Sequence, residues 1–190
     1  LAQKLVNLDS FNLETVKDQY RRTLHAEQLS KEKLQQQIAY GEQTLDRLFN
    51  AYSYTLVKGS IPEQSLPGRM CGEARLSGKL DRIDIIDEHS IRIVDYKTGS
   101  GLSSLETKDK TKEIKAWKHK MQLTFYALLA QCDEQFSVYQ HIEAQMVYVE
   151  SKYQKGLELS YHAGEEELDR LKKIITAIWR MVKNYELPDA

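Results

Sequence analysis

Asp95 and Lys97 stand one residue apart in the β-branched run Ile91-Arg92-Ile93-Val94-Asp95-Tyr96-Lys97. Side chains of an extended strand alternate between two faces, so this acid and this base share one face while Val94 and Tyr96 take the other. Asp81 lies in the preceding run, Arg75 to Ile86, and from a neighbouring strand it can reach the same face. Two carboxylates converging with an ammonium group make the hard-oxygen environment that Mg2+ or Mn2+ takes. The backbone carbonyl of Tyr96, lying between the two strand side chains, is a further candidate ligand. Phosphodiester hydrolysis uses such parts: a cation that lowers the pKa of the attacking water, and positive charge to offset what develops on phosphorus. Asp81 and Asp95 are the expected metal ligands, with Lys97 orienting the water or neutralising the transition state. Taken alone, Asp95-Tyr96-Lys97-Thr98-Gly99 also describes an exposed strand and turn with a weak ion pair.

The elements that would position these residues follow from periodicity. From about Leu13 to Tyr54 there is no proline and one glycine, and Leu34, Ile38, Leu45, Leu48, Phe49 and Tyr52 recur at steps of three and four, which predicts helix. Ser30 is a plausible helix start. Gly59 to Gly72, with Pro62 and Pro67, reads as turns. Residues from about Glu73 to Lys97 form a predicted β-hairpin closed by Asp87 to Ser90. A helix from about Ile114 to Ala130, strands over Ala144–Val149 and Leu157–Tyr161, and a last amphipathic helix complete the chain. In that helix Leu168, Leu171, Ile175, Ile178 and Val182 mark the expected buried face. The expected fold class is α/β, a mixed sheet flanked by helices, with a helical region over 1–58 and a core over 59–190 in one compact unit.

Three segments together carry a resemblance. Gly78-Lys79-Leu80-Asp81-Arg82-Ile83-Asp84, then Ile93-Val94-Asp95-Tyr96-Lys97-Thr98-Gly99, then Gln122-Leu123-Thr124-Phe125-Tyr126 stand in the order and spacing of the motifs of RecB-like nucleases of the PD-(D/E)XK superfamily, as found in AddAB- and RecB-type and helicase-linked exonucleases. The resemblance implies a restriction-endonuclease-like core. It also implies Asp81 and Asp95 as Mg2+ or Mn2+ ligands, Lys97 as the catalytic lysine, and Gln122 and Tyr126 as active-site residues one helical turn apart. DNA is the implied substrate, and a superfamily 1 helicase, as a domain or a subunit, the implied partner. Such nucleases usually carry an upstream Gly-x-x-x-His helix supplying another ligand, and often a cysteine segment for an iron-sulfur cluster. Neither motif is evident here, and His25, the one histidine before the hairpin, lacks the glycine. The chain opens at Leu1 without a methionine, so the expectation is a piece of a longer helicase-nuclease polypeptide with the histidine motif before Leu1.

Composition sets outer bounds. The 190 residues carry a net charge of -1, so attraction to a polyanion has to come from local clustering. The basic stretch Lys108 to Lys120 is the candidate, with Lys115, Lys118 and Lys120 tracking a DNA backbone and Trp117 stacking on a base, although a solvated helix start explains the same residues. Asp84 is expected to pair with Arg82 rather than bind metal, Glu73 is a possible addition to the acidic cluster, and Trp179 belongs with the core. Cys71 and Cys132, in no CxxC pair, are expected as incidental thiols in a reducing cytoplasm, with no membrane span. The alternative to an enzyme is a nuclease-like module that binds DNA or scaffolds a repair complex without catalysis.

Overall fold

The computed structural model describes residues 12–52, 60–99, 101–151 and 158–185. Its elements in chain order are α1 (Leu13–His25), α2 (Lys31–Tyr52), β1 (Ile61–Cys71), β2 (Ala74–Ile85), β3 (Ser90–Lys97), α3 (Lys110–Gln131), β4 (His141–Tyr148), β5 (Glu158–Tyr161) and α4 (Glu165–Lys183). The strands form one sheet in the order β1-β2-β3-β4-β5, antiparallel throughout except for the parallel pair β3/β4. This is the mixed, helix-flanked sheet that the sequence predicts, with a helical N-terminal part. Both β3 and β4 run toward the same end of the sheet, and α3 is the crossover between them.

The predicted helical run divides into α1 and α2 at Ala26–Ser30, where the Ser30 carbonyl accepts from Leu34 N–H at 2.8 Å. Gly59 to Gly72 departs from expectation, because most of it is strand β1. The sequence misleads there because β1 is an edge strand, where a proline's missing N–H leaves no ladder bond unmade and a bulge is tolerated. Its register with β2 shifts between Leu66 and Arg69, and Gly68 takes the left-handed backbone (φ 63°) that the bulge requires. The last helix also departs. Leu168 and Leu171 are buried and Ile175 packs beside the core, but Ile178 and Val182 are exposed. Tyr52 and Leu157 have side chains outside the described residues.

Cys71 and Cys132 form a disulfide from the end of β1 to the C-cap of α3, with Cα atoms 5.5 Å apart. This overturns the reading as separate thiols and removes the cysteine argument for a reducing compartment. Among the described residues no helix is long and apolar enough to cross a membrane.

The main core lies between α3 and one face of the sheet. Leu128, Leu129 and Phe136 pack there against Leu66, Leu80, Ile83, Ile91 and Ile93, all fully or almost fully buried. On the other face Val94 and Val147 are covered from α2 by Leu48. Gly78 explains how closely α3 approaches: a Cβ there would stand 2.5 Å from Leu129 Cδ2 and 3.7 Å from Phe125 Cε1. Gly78→Ala is therefore expected to lower stability by about 1–3 kcal/mol, the usual cost of overpacking. Urea unfolding of wild type and variant measures it, and an unchanged midpoint would show that α3 is not held against β2 at this point.

Candidate active site

The β2/β3 ladder runs from Ile85↔Ile91 to Arg82↔Val94 and stops there. One step beyond, the Tyr96 N–H that would continue it donates instead to Asp81 Oδ2 at 2.9 Å. The strands part, and a carboxylate fills the gap. In a strand the N–H and C=O of one residue point to the same side, so the Tyr96 carbonyl also faces this gap.

Strand β2 changes sides at the same place. Gly78 and Leu80 face α3, and so does Ile83, whereas Arg82 and Asp84 face the other way. The two-residue alternation thus slips by one at Asp81. Opposite Asp81, between the pairs Pro62↔Arg82 and Gln64↔Leu80, stands Glu63 with φ 54°, a left-handed backbone that is uncommon outside glycine and often found at functional sites.

Asp95 is 4% exposed. Its Oδ1 accepts from Gln122 Nε2 and from Tyr126 Oη, each at 3.1 Å, and Gln122 Nε2 also donates to Tyr126 Oη at 2.7 Å. Its Oδ2 is buried without a well-formed hydrogen bond, and the Lys97 ammonium stands 2.6 Å away. Burial raises the Asp95 pKa above the ordinary aspartate value, Lys97 opposes that shift, and the charge of Asp81 adds to it. Burial and the Asp95 charge push Tyr126 up to about 12, so its phenol stays a neutral donor. The structure brings Asp81, Asp95, Lys97, Gln122 and Tyr126 together from β2, β3 and α3.

Behind this cluster, on the opposite sheet face, a buried polar network fixes the strands. Arg82 Nη1 donates to Tyr96 Oη at 2.6 Å, Arg82 Nη2 pairs with Asp84 Oδ2 at 2.8 Å, and Ser60 Oγ donates to Asp84 Oδ1 at 2.5 Å. Asp84 is thus taken up by Arg82. Glu73 lies at the far end of β2, in the turn from β1, where Arg180 Nη2 meets it at 2.6 Å; it does not join the acidic cluster. Sequence spacing could not show this, because the partners are 107 residues apart.

Of the basic stretch, Trp117 is 60% exposed, Lys118 is exposed, and Lys115 lies 5.8 Å from the Tyr148 ring. Lys120 turns instead to α4, 2.5 Å from Glu167, which it and Tyr161 push down to a pKa of about 2. His119, within the basic stretch, makes a contact that spacing did not predict. It sits three residues before Gln122 and seven before Tyr126, on the same helical face, and its Nδ1 lies 2.7 Å from Tyr148 Oη. Tyr148 is the ladder partner of Lys97. The i, i+3, i+7 spacing signals only the shared face.

The cluster offers two carboxylates and a backbone carbonyl, a donor set that suits Mg2+ or Mn2+ with water completing the shell. Asp95 Oδ2, 2.6 Å from the Lys97 ammonium, would be shared between that cation and such an ion. Among the described residues no group of three His, Cys, Asp or Glu side chains comes together. Helix α2 lines the cleft beside Asp81 and carries no histidine there. His25 is exposed at the end of α1.

The sequence model of the PD-(D/E)XK nuclease superfamily matches residues 3–190. Among solved structures the chain is similar to a candidate exonuclease from Eubacterium rectale, with 14% identity over 95% of this chain and 71% of that one and a TM-score of 0.49. It is also similar to SSO0001, with 14% identity over 93% of this chain and 82% of that one and a TM-score of 0.36. No curated protein matches.

The raised Asp95 pKa has a consequence for stability. A group whose folded pKa lies above its unfolded one favours the fold while protonated and loses that contribution as pH rises through the folded value. Asp95→Asn, which stays neutral, is therefore expected to melt higher than wild type at pH 7 in the absence of metal, with the gap closing as pH falls to the ordinary aspartate range. Thermal melts across that range in a chelator measure it; a variant that melts lower at pH 7 would contradict a net burial cost at Asp95.

Proposed function

The chain belongs to the PD-(D/E)XK nuclease superfamily, and from that premise we propose that it is a divalent-metal-dependent DNA nuclease of the RecB-like, exonuclease type. The observation that supports this most is the Asp95 carboxylate, held by Gln122 and Tyr126 through one oxygen and facing Lys97 through the other, beside Asp81 in the gap between β2 and β3.

In this reading Asp81, Asp95 and the Tyr96 carbonyl hold Mg2+ or Mn2+. Such an ion, when bound there, would supply a lowered pKa for an attacking water and positive charge beside the phosphate. Gln122 and Tyr126 fix the Asp95 carboxylate in one orientation by donating to Oδ1. Lys97, whose ammonium has Asp95 as its neighbour, moves toward the negative charge that grows on the phosphoryl oxygens and positions the water. The exposed side of α3, with Lys115, Trp117 and Lys118, follows the DNA backbone and stacks on bases. Lys120 contributes less, because Glu167 already takes its charge. The helical region over 1–58 and the core over 59–190 act as one unit. A linked superfamily 1 helicase, a role in recombination or repair and a cytoplasmic setting rest on the resemblance of the three motifs.

A second reading has its own support. Among the described residues no histidine lines the cleft beside Asp81, so a nuclease fold that binds DNA without cutting it is the alternative. Labelled single-stranded DNA, incubated with the purified chain and with any longer polypeptide that carries it, decides between them. Cleavage that requires Mg2+ or Mn2+ and falls on the order of 10²–10³-fold in Asp95→Ala and in Lys97→Ala is expected. DNA binding by the folded protein with no cleavage in either metal would establish the non-catalytic reading instead.

A further inference from the structure

Beside Asp81, between α2 and the sheet, lies a cavity of about 470 Å³ that no step of the proposed reaction uses. Tyr40, Leu45, Leu48 and Val149 supply apolar wall, and Gln37 and Thr44 add polar edges. One of its lining residues, Asp81, is also a candidate metal ligand, so the cavity opens beside the proposed reaction centre.

Tyr20 on α1 and Tyr40 on α2, both lining the cavity, behave differently. Tyr20 is fixed: its hydroxyl donates to the Gln37 carbonyl at 2.9 Å and its ring lies over Gly41, where a side chain would collide with it. Tyr40 remains 46% exposed on the cavity wall. A large ring left open beside a reaction centre is a stacking platform for a flat group.

Charge narrows the occupant. Glu63, Asp81 and Glu150 all line the cavity, and their carboxylates repel phosphate from its interior. Glu63 is paired with Lys79, and Glu150 accepts from Gly99 N–H at 2.7 Å, so both are held in place. A neutral, planar, amphipathic group with hydrogen-bonding edges fits these walls. The volume falls within the range of pockets that take single small molecules, and a duplex cannot enter it.

Resting on the nuclease reading, we propose that this cavity is a nucleobase subsite: the base next to the scissile phosphate leaves its stack and lies on Tyr40 while Asp81 and Asp95 serve the phosphate. The substrate class is then a single strand or a frayed end, since a base paired within a duplex cannot reach the ring without unpairing.

An abasic scan tests this. Single-stranded oligonucleotides with one abasic residue at successive positions are bound to the protein in Ca2+ and, separately, cleaved in Mg2+, using wild type, Tyr40→Ala and Tyr40→Phe. A stacked base contributes about 1–3 kcal/mol, so one register is expected to weaken wild-type affinity and raise KM roughly 5–150-fold when its base is missing. Tyr40→Ala shows that loss on the intact strand and no further loss from the lesion, whereas Tyr40→Phe, which keeps the ring, retains the register effect. A flat scan in wild type, or the same lesion penalty in Tyr40→Ala as in wild type, overturns the subsite. A clear register in the binding arm without cleavage overturns the enzyme and leaves the subsite standing, so the two failures are distinguishable.

Discussion

The burial of one carboxylate organises this protein. Asp95 lies at the end of a central strand with almost no access to water, and its charge is tolerable there because donors arrive from two directions. Lys97 comes from the same strand face two residues on. Gln122 and Tyr126 come from α3, which packs close to β2 where Gly78 has no side chain. A partly satisfied buried charge of this kind is expensive, and it persists where function selects it. The second oxygen of Asp95 is matched by the Lys97 ammonium.

The parting of β2 and β3 supplies the other half of the arrangement. A ladder that continued past Arg82↔Val94 would consume the Tyr96 backbone groups and leave no gap. Arg82, buried between Asp84 and the Tyr96 hydroxyl, ties the strands together up to that point from the opposite face. Buried ion pairs add little net stability compared with apolar packing, so a role in fixing how the strands meet accounts better for this one. The slip in alternation at Asp81 then turns the acid into the opening, and the left-handed Glu63 on β1 accommodates it.

Helix α2 gives the same opening a second wall. It covers Val94 and Val147 with Leu48, and in doing so encloses the cavity on the Asp81 side. The N-terminal helices therefore shape the space next to the carboxylates.

The shared faces of the candidate site residues were legible because those relations are local. Asp95 and Lys97 share a face through the two-residue period of a strand, and Gln122 and Tyr126 through one turn of a helix; neither relation depends on how the rest of the chain folds. Element types were legible wherever apolar periodicity was long, as in α2 and α4. What remained hidden depends on distant segments meeting. Turn-forming residues became β1 because an edge position forgives prolines, Cys71 met Cys132 across 61 residues, Lys120 found Glu167 and Glu73 found Arg180. The sequence alone thus determined which groups are present and which neighbours share a face. Only the tertiary structure decided where β2 and β3 part, which carboxylate is buried and which ring is left open, because burial and separation are properties of the packed chain.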